Sequence, residues 1–348
     1  MPTHNFSWKK PKPQKTCAVV RYGAIGDALI ASSIFPGLKK QGYWIDLYCQ
    51  SGPGYEVVKH DPHVDRFIIQ GKNNVPPTFL KEFWDYTRKK YDKWVNLCES
   101  MEGTLLAIPG RANHEWPNSM RAKFMDRNYV EFVHDIAEVP PPYSQTFYAT
   151  PEEKEWARDI KSRWGKRNVM WSLSGSSGHK TWPHMDTILA RMMLAYPDVH
   201  VALVGDGACV LLEMPWTKEP RVHCMSDKWT IRQTMAFAQQ CDLIVGPETG
   251  VLNGCGFMET PKIITMSHSS TEMLTKHWKN VIALEQPKGV GCAKSPCRQL
   301  HYSWEYCFQE KETGASYCQY YIDAEMMWEA VQKVFGEGRS IIPVRRVA

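Results

Sequence analysis

Apolar and polar positions along this chain follow two alternating rhythms. Short, nearly continuous apolar runs recur at Thr16–Arg21, Trp44–Cys49, Arg66–Ile69 and Lys93–Leu97, and again at Asn168–Leu173, Val199–Val204, Cys241–Val245 and Lys262–Met266. Runs of this length predict strands buried on both faces. Between them apolar residues return at helical spacing. The predicted helices are Ala28–Lys40, stopped by Gln41-Gly42, then Asn128–Ala137, one opening at Pro151-Glu152-Glu153, Trp182–Ala195, Thr230–Gln240, and one opening at Thr249. A last helix, Asp323–Phe335, carries Ala324, Met327, Trp328, Val331 and Phe335 on one face and should close the fold. Strands separated by helices imply parallel sheets with right-handed crossovers. The turn-rich break Val139-Pro140-Pro141-Pro142-Tyr143 divides the pattern into two halves.

The expected fold class is therefore α/β, with two doubly wound Rossmann-like domains facing across a cleft. The expected division is a disordered basic arm over 1–15, an N-terminal domain over 16–150 and a C-terminal domain over 151–348. Ligands of such sheets bind beyond the strand C-terminal ends. At 348 residues the chain is long for a single core, which supports two domains. Its apolar fraction of 43% is ample for globular folding, and its net charge of +5 permits an anionic partner without demanding one. The arm Met1–Lys15 lacks the apolar stretch of a signal peptide, and no apolar run approaches the ~20 residues of a membrane helix. The eleven cysteines then read as reduced thiols of a cytoplasmic protein.

Chemistry concentrates where strand Leu243-Ile244-Val245 runs into Gly246-Pro247-Glu248-Thr249-Gly250-Val251-Leu252-Asn253. A helix opening at Thr249-Gly250 presents unpaired N–H groups and a partial positive charge, a setting suited to phosphate. The bland reading is a βα turn with a glycine for tight packing. Three further segments shift the balance: Arg21-Tyr22-Gly23-Ala24-Ile25-Gly26-Asp27 after the first strand, Gly175-Ser176-Ser177-Gly178-His179-Lys180-Thr181-Trp182-Pro183, and Val201-Ala202-Leu203-Val204-Gly205-Asp206-Gly207. In this order, with the smaller His60-Asp61-Pro62-His63-Val64-Asp65, the segments resemble glycosyltransferase family 9, the heptosyltransferase-like enzymes. The resemblance runs from about Val19 to Phe335.

It implies the GT-B arrangement, with an acceptor-side N-terminal domain and a donor-side C-terminal domain. It also implies inverting transfer of a sugar from a nucleotide-diphosphate donor, which is a co-substrate rather than a cofactor, to an acceptor hydroxyl without metal. Asp27 is then the catalytic base, its bland alternative being a helix cap. Donor-binding residues are Ser174, Gly175, Ser176, Lys180, Trp182, Gly205, Asp206, Glu248, Thr249, Gly250 and Asn253. Gly26, Arg111, Arg121 and Lys123 are expected on the acceptor side. Basic residues interleaved with aromatics across 108–128 suit an anionic acceptor, although a solvated charged loop would look the same. The expected partners are a nucleotide sugar and an anionic glycan of lipopolysaccharide type, with DNA bearing hydroxylated bases as the alternative acceptor. A glycolipid acceptor would place the enzyme at the inner membrane surface. A catalytically silent nucleotide-sugar-binding protein is the second alternative, and the retained Asp27 argues against it.

The chain departs from the family pattern Asp-Thr-Gly-x-x-His by carrying Glu248 and Asn253. ADP-heptose is accordingly in question as donor, and the pair is expected to face the sugar and set its choice. Cys292, Cys297, Cys307 and Cys318 form a loose zinc candidate, with His301 as a substitute ligand; no Cys-x-x-Cys pair supports it, and plain thiols are the simpler reading.

Overall fold

The computed structural model describes residues 15–71, 74–98, 100–175, 177–300 and 307–338. The basic arm up to Gln14, Ser176 and His301 lie outside the described residues. Lys15 already opens the first strand.

Among the described residues ten strands form two sheets, all paired in parallel. β1 (Lys15–Val20), β2 (Tyr43–Cys49), β3 (Arg66–Ile69) and β4 (Lys93–Asn96) take the order β3-β2-β1-β4. β5 (Arg167–Ser172), β6 (Val199–Val204), β7 (Val222–Cys224), β8 (Leu243–Pro247), β9 (Lys262–Thr265) and β10 (Val281–Leu284) take the order β10-β9-β8-β5-β6-β7. Both are doubly wound orders, reversing direction at β1/β4 and at β8/β5. The apolar runs became strands because helices cover both sheet faces. β8, for instance, is buried at all five positions.

β7 and β10 escaped the sequence reading. The first has three residues with His223 in the middle, and the second is a half-buried edge strand. Elsewhere the structure divides what the periodicity joined. The expected helix Ala28–Lys40 is two helices, Ile25–Ser32 and Phe35–Lys40, because Pro36 donates no N–H and its ring crowds the carbonyl of Ser32.

The halves share core. One apolar cluster joins Leu29, Ile34 and Val130 to Met235, Leu252 and Met273. Arg232 pins the connection between the halves, donating to the Glu56 and Tyr148 carbonyls (both 2.8 Å) and bidentately to Glu153 (2.5 and 2.6 Å). No helix among the described residues is long and apolar enough to cross a membrane.

Candidate functional site

The two switch points face each other. From the C-terminal sheet come the loop after β5 and the turn after β8; from the N-terminal sheet comes Arg21–Gly26 after β1. Helices Ile25–Ser32 and Gly250–Cys255 meet at their starting turns. A Cβ on Gly250 would lie 2.7 Å from Ile25 Cβ and 3.0 Å from the Gly26 nitrogen, and one on Gly26 would lie 2.9 Å from Asn253 Nδ2. Gly250 is required by this close backbone approach, whereas at Gly26 the tight neighbour is the end of the Asn253 side chain. Gly250→Ala should therefore cost roughly 1–3 kcal/mol of stability, because neither the β-branched Ile25 nor a backbone atom yields easily; urea unfolding would measure it.

Asp27 is the third residue of its helix rather than its cap. Its Oδ2 accepts from the Ala24 N–H (2.8 Å), half of a capping box. Its Oδ1 accepts from Arg21 Nη2 (2.5 Å), which also donates to Glu102 Oε1 (2.7 Å). Burial works against the Arg21 charge, but Asp27 and Glu102 outweigh it and raise the guanidinium pKa further. The Asp27 side chain retains 25% exposure, and its charge is felt by Lys180.

Lys180 ends a short 3₁₀ turn, Gly178–Lys180, and is buried. Burial pushes its pKa down, while Glu248 and then Asp27 oppose the shift. No described residue accepts a hydrogen bond from its ammonium. Gly175 lets the walls close, since a Cβ there would meet Lys180 Cδ at 3.0 Å and Thr249 Cγ2 at 3.4 Å. Ser174 Oγ is 3.1 Å from Thr181 Oγ1, holding the loop across its neck. Thr249 caps the Gly250–Cys255 helix through the Leu252 N–H (3.2 Å).

Glu248 departs from expectation. Its carboxylate turns into the domain, not toward the cleft. Oε1 accepts from the Ser267 and Ser269 N–H groups (2.7 and 3.1 Å), and Oε2 lies 2.9 Å from His268 Nδ1, an ion-pair contact short of an aligned hydrogen bond. Burial would raise its pKa, but His268, Lys180 and the backbone donors bring it down to about 2. The extra methylene relative to aspartate gives the reach to this turn. Asn253 stays at the cleft, its amide against Gly26 and its carbonyl accepting from Gln145 (2.7 Å).

Other expected residues are placed differently. Trp182 is core: its indole N–H donates to the Ile322 carbonyl (2.7 Å) and its ring stacks on Trp171. Asp206 is exposed and caps a turn through Ala208 and Cys209 N–H, while Gly205 makes room for Cys209. Arg121 cannot meet an acceptor. It is buried, and donates to the carbonyls of Cys297 (2.8 Å), His114 (3.1 Å) and Trp116, because the 108–125 segment packs against 297–300. Arg111 is half-buried and Lys123 is exposed over the Phe124 ring. Arg21, Glu102 and His268 went unforeseen. Arg21 stood inside the quoted motif, but only contacts at long sequence separation mark the other two.

No protein-family model and no curated protein matches the sequence, so likeness is carried by structure. A family 9 glycosyltransferase from Veillonella parvula superposes with TM-score 0.65 at 14% identity, covering 93% of this chain and 98% of that one. The fold is that of the family 9 glycosyltransferases. The E. coli ADP-heptose lipopolysaccharide heptosyltransferase II superposes with TM-score 0.61 at 13% identity, covering 92% and 98% of the respective chains. The E. coli dodecameric iron-containing heptosyltransferase TibC, solved with ADP-D-β-D-heptose, gives 0.58 at 12% identity, with 92% and 76% covered.

Proposed function

We propose that the protein is an inverting glycosyltransferase moving a sugar from a nucleotide-diphosphate donor to a glycan hydroxyl. The observation that carries this reading is Lys180, a buried cation without a hydrogen-bond acceptor among the described residues, set between Glu248 and Asp27 at the mouth of both sheets. Glu248 and Asp27 offset its charge at a distance without accepting its hydrogen bonds, which leaves the ammonium donors for an anionic ligand. The departing diphosphate fits, with backbone N–H groups at Thr249-Gly250 as further donors. Neutralisation runs through these groups rather than a metal bridge, since Asp27 is engaged by Arg21 and Glu248 by the Ser267–Ser269 turn. Asp27 takes the proton of the attacking hydroxyl on the opposite face of the sugar, as single-step inversion requires.

The fold likeness supports a nucleotide sugar as donor. A glycan is favoured over DNA because burial of Arg121 leaves the 108–124 loop with less cationic surface than its composition promised. The decisive experiment is mass-spectrometric screening of co-purified nucleotides, followed by transfer assays on glycan and hydroxylated-DNA acceptors. Product on DNA alone would reverse the acceptor choice. A bound nucleotide sugar with no transfer to any acceptor would support the silent binding protein instead.

Lys180→Ala should weaken donor binding and slow transfer together, since its charge meets the diphosphate in both ground and transition states. Calorimetric titration with the nucleoside diphosphate, beside steady-state kinetics, separates the two. Unchanged affinity would place the diphosphate elsewhere.

A further inference from the structure

Beside Glu248 and His268, outside the groups used for transfer, lies a partly open cavity of about 380 Å³. Cys292, Cys297, Cys307 and Cys318 all line it, together with His179 and His268. These four thiols come from a stretch with almost no regular structure. Between β10 and the short helix Tyr317–Tyr320, the described residues form no helix or strand beyond two isolated bridges, Ala107 with Gln299 and Gln309 with Ser316. An excursion of this length inside a compact domain needs something to order it. It has no large apolar core to do so, and Phe308 and Val290 are exposed.

We propose that Cys292, Cys297, Cys307 and Cys318 bind one soft divalent metal ion, zinc or ferrous iron, as a structural staple for this excursion. A donor set of four thiolates selects these ions over magnesium or calcium. Hydrogen bonding is already arranged around the sulfurs. The Gln299 N–H reaches Cys297 Sγ at 3.5 Å, and Ser316 Oγ lies 3.4 Å from Cys318 Sγ. Gln286 brackets Cys292, donating to its carbonyl (2.7 Å) and accepting from its N–H (2.8 Å). Among the described residues no three ligands are drawn up ready for an ion, so binding must pull the sulfurs inward by rotamer change. Cysteine binds a metal ion as thiolate, so the ion displaces thiol protons on binding and its affinity should rise with pH. The four thiols are not among the groups assigned to the diphosphate, and the staple stands whether or not the transfer reading does.

The test begins with full-length protein purified without chelator. Elemental analysis should find about one equivalent of zinc or iron per chain, its identity deciding between the two. Added Co²⁺ should give thiolate-to-metal charge-transfer absorption and the strong visible bands of a tetrahedral site. Four of the eleven cysteines should resist a thiol reagent until chelator is added. The double variant Cys292→Ser/Cys318→Ser should lose the metal and the cobalt spectrum, whereas Cys98→Ser should keep both. Should the double variant not fold, metal content and thiol protection of the parent decide alone. Metal-free parent protein whose four thiols react without chelator would overturn the proposal, as would a disulfide among them found by mass spectrometry.

Discussion

Asp27→Asn should lower turnover by roughly 10²-fold or more while leaving donor affinity and folding close to those of the parent. The variant suits the question because of what the amide keeps. Its oxygen can still accept from the Ala24 N–H, so the start of helix Ile25–Ser32 stays supported, and Arg21 retains Glu102 as an ion-pair partner. What it loses is the capacity to take a proton. Single-turnover transfer with saturating donor, beside thermal unfolding of the same preparation, makes the comparison. A drop in melting temperature with an equal loss of donor affinity would assign Asp27 to helix support alone. Unchanged turnover would remove it from the chemistry.

The largest effect on stability should come from Glu248→Ala. The substitution strands the Ser267 and Ser269 N–H groups and removes the buried carboxylate that faces His268 and offsets the Lys180 charge. Removing one partner of a buried charged cluster costs about 3–5 kcal/mol, or roughly 10 °C in melting temperature for a domain of this size. The effect also carries a pH signature. The folded carboxyl titrates at about 2, below its ordinary 4.5, so its ionisation stabilises the fold fully above pH 4.5. That contribution is lost as pH falls from 4.5 toward 2. Acid unfolding of the parent should therefore be steeper across this window than that of the alanine variant. Parallel pH profiles would refute the buried role, and changed donor preference at unaltered stability would return Glu248 to the sugar.

Much of the architecture was legible in residue order. Strand positions at β3 and β6 were read correctly to the residue: Val199–Val204 is buried at five of its six positions and carries no competing period, while the half-exposed β3 is marked by its short apolar run Phe67-Ile68-Ile69. Glycine and proline marked most turns, and the residues read as starting their helices at Thr230, Thr249 and Asp323 are the caps of those helices; the helix read as opening at Pro151 is capped by Thr150. Boundaries failed where local pattern and backbone chemistry disagreed, as at Pro36. Edge elements such as β10 failed because half-buried strands lose the apolar continuity by which central ones are read.

The positions of the candidate site were more legible than the directions of its side chains. The strand–turn–helix pattern placed Thr249 and Gly250 at a strand end, the family resemblance singled out Asp27 and Lys180, and the fold brings the four near one another. Charge and residue type say nothing of where a side chain points, so Arg121 and Glu248, both read as facing ligand, are tied instead to the protein's own backbone. The sequence by itself determined two parallel sheets and a glycine-lined cleft, since local periodicity, caps and turns are properties of neighbouring residues. Tertiary structure alone decided that Glu102 would share Arg21 with Asp27, that His268 would oppose Glu248, and that four cysteines spread over 292–318 would line one cavity. Each grouping lies within one half, but no local periodicity links its members, so only the folding of that half brings them within reach.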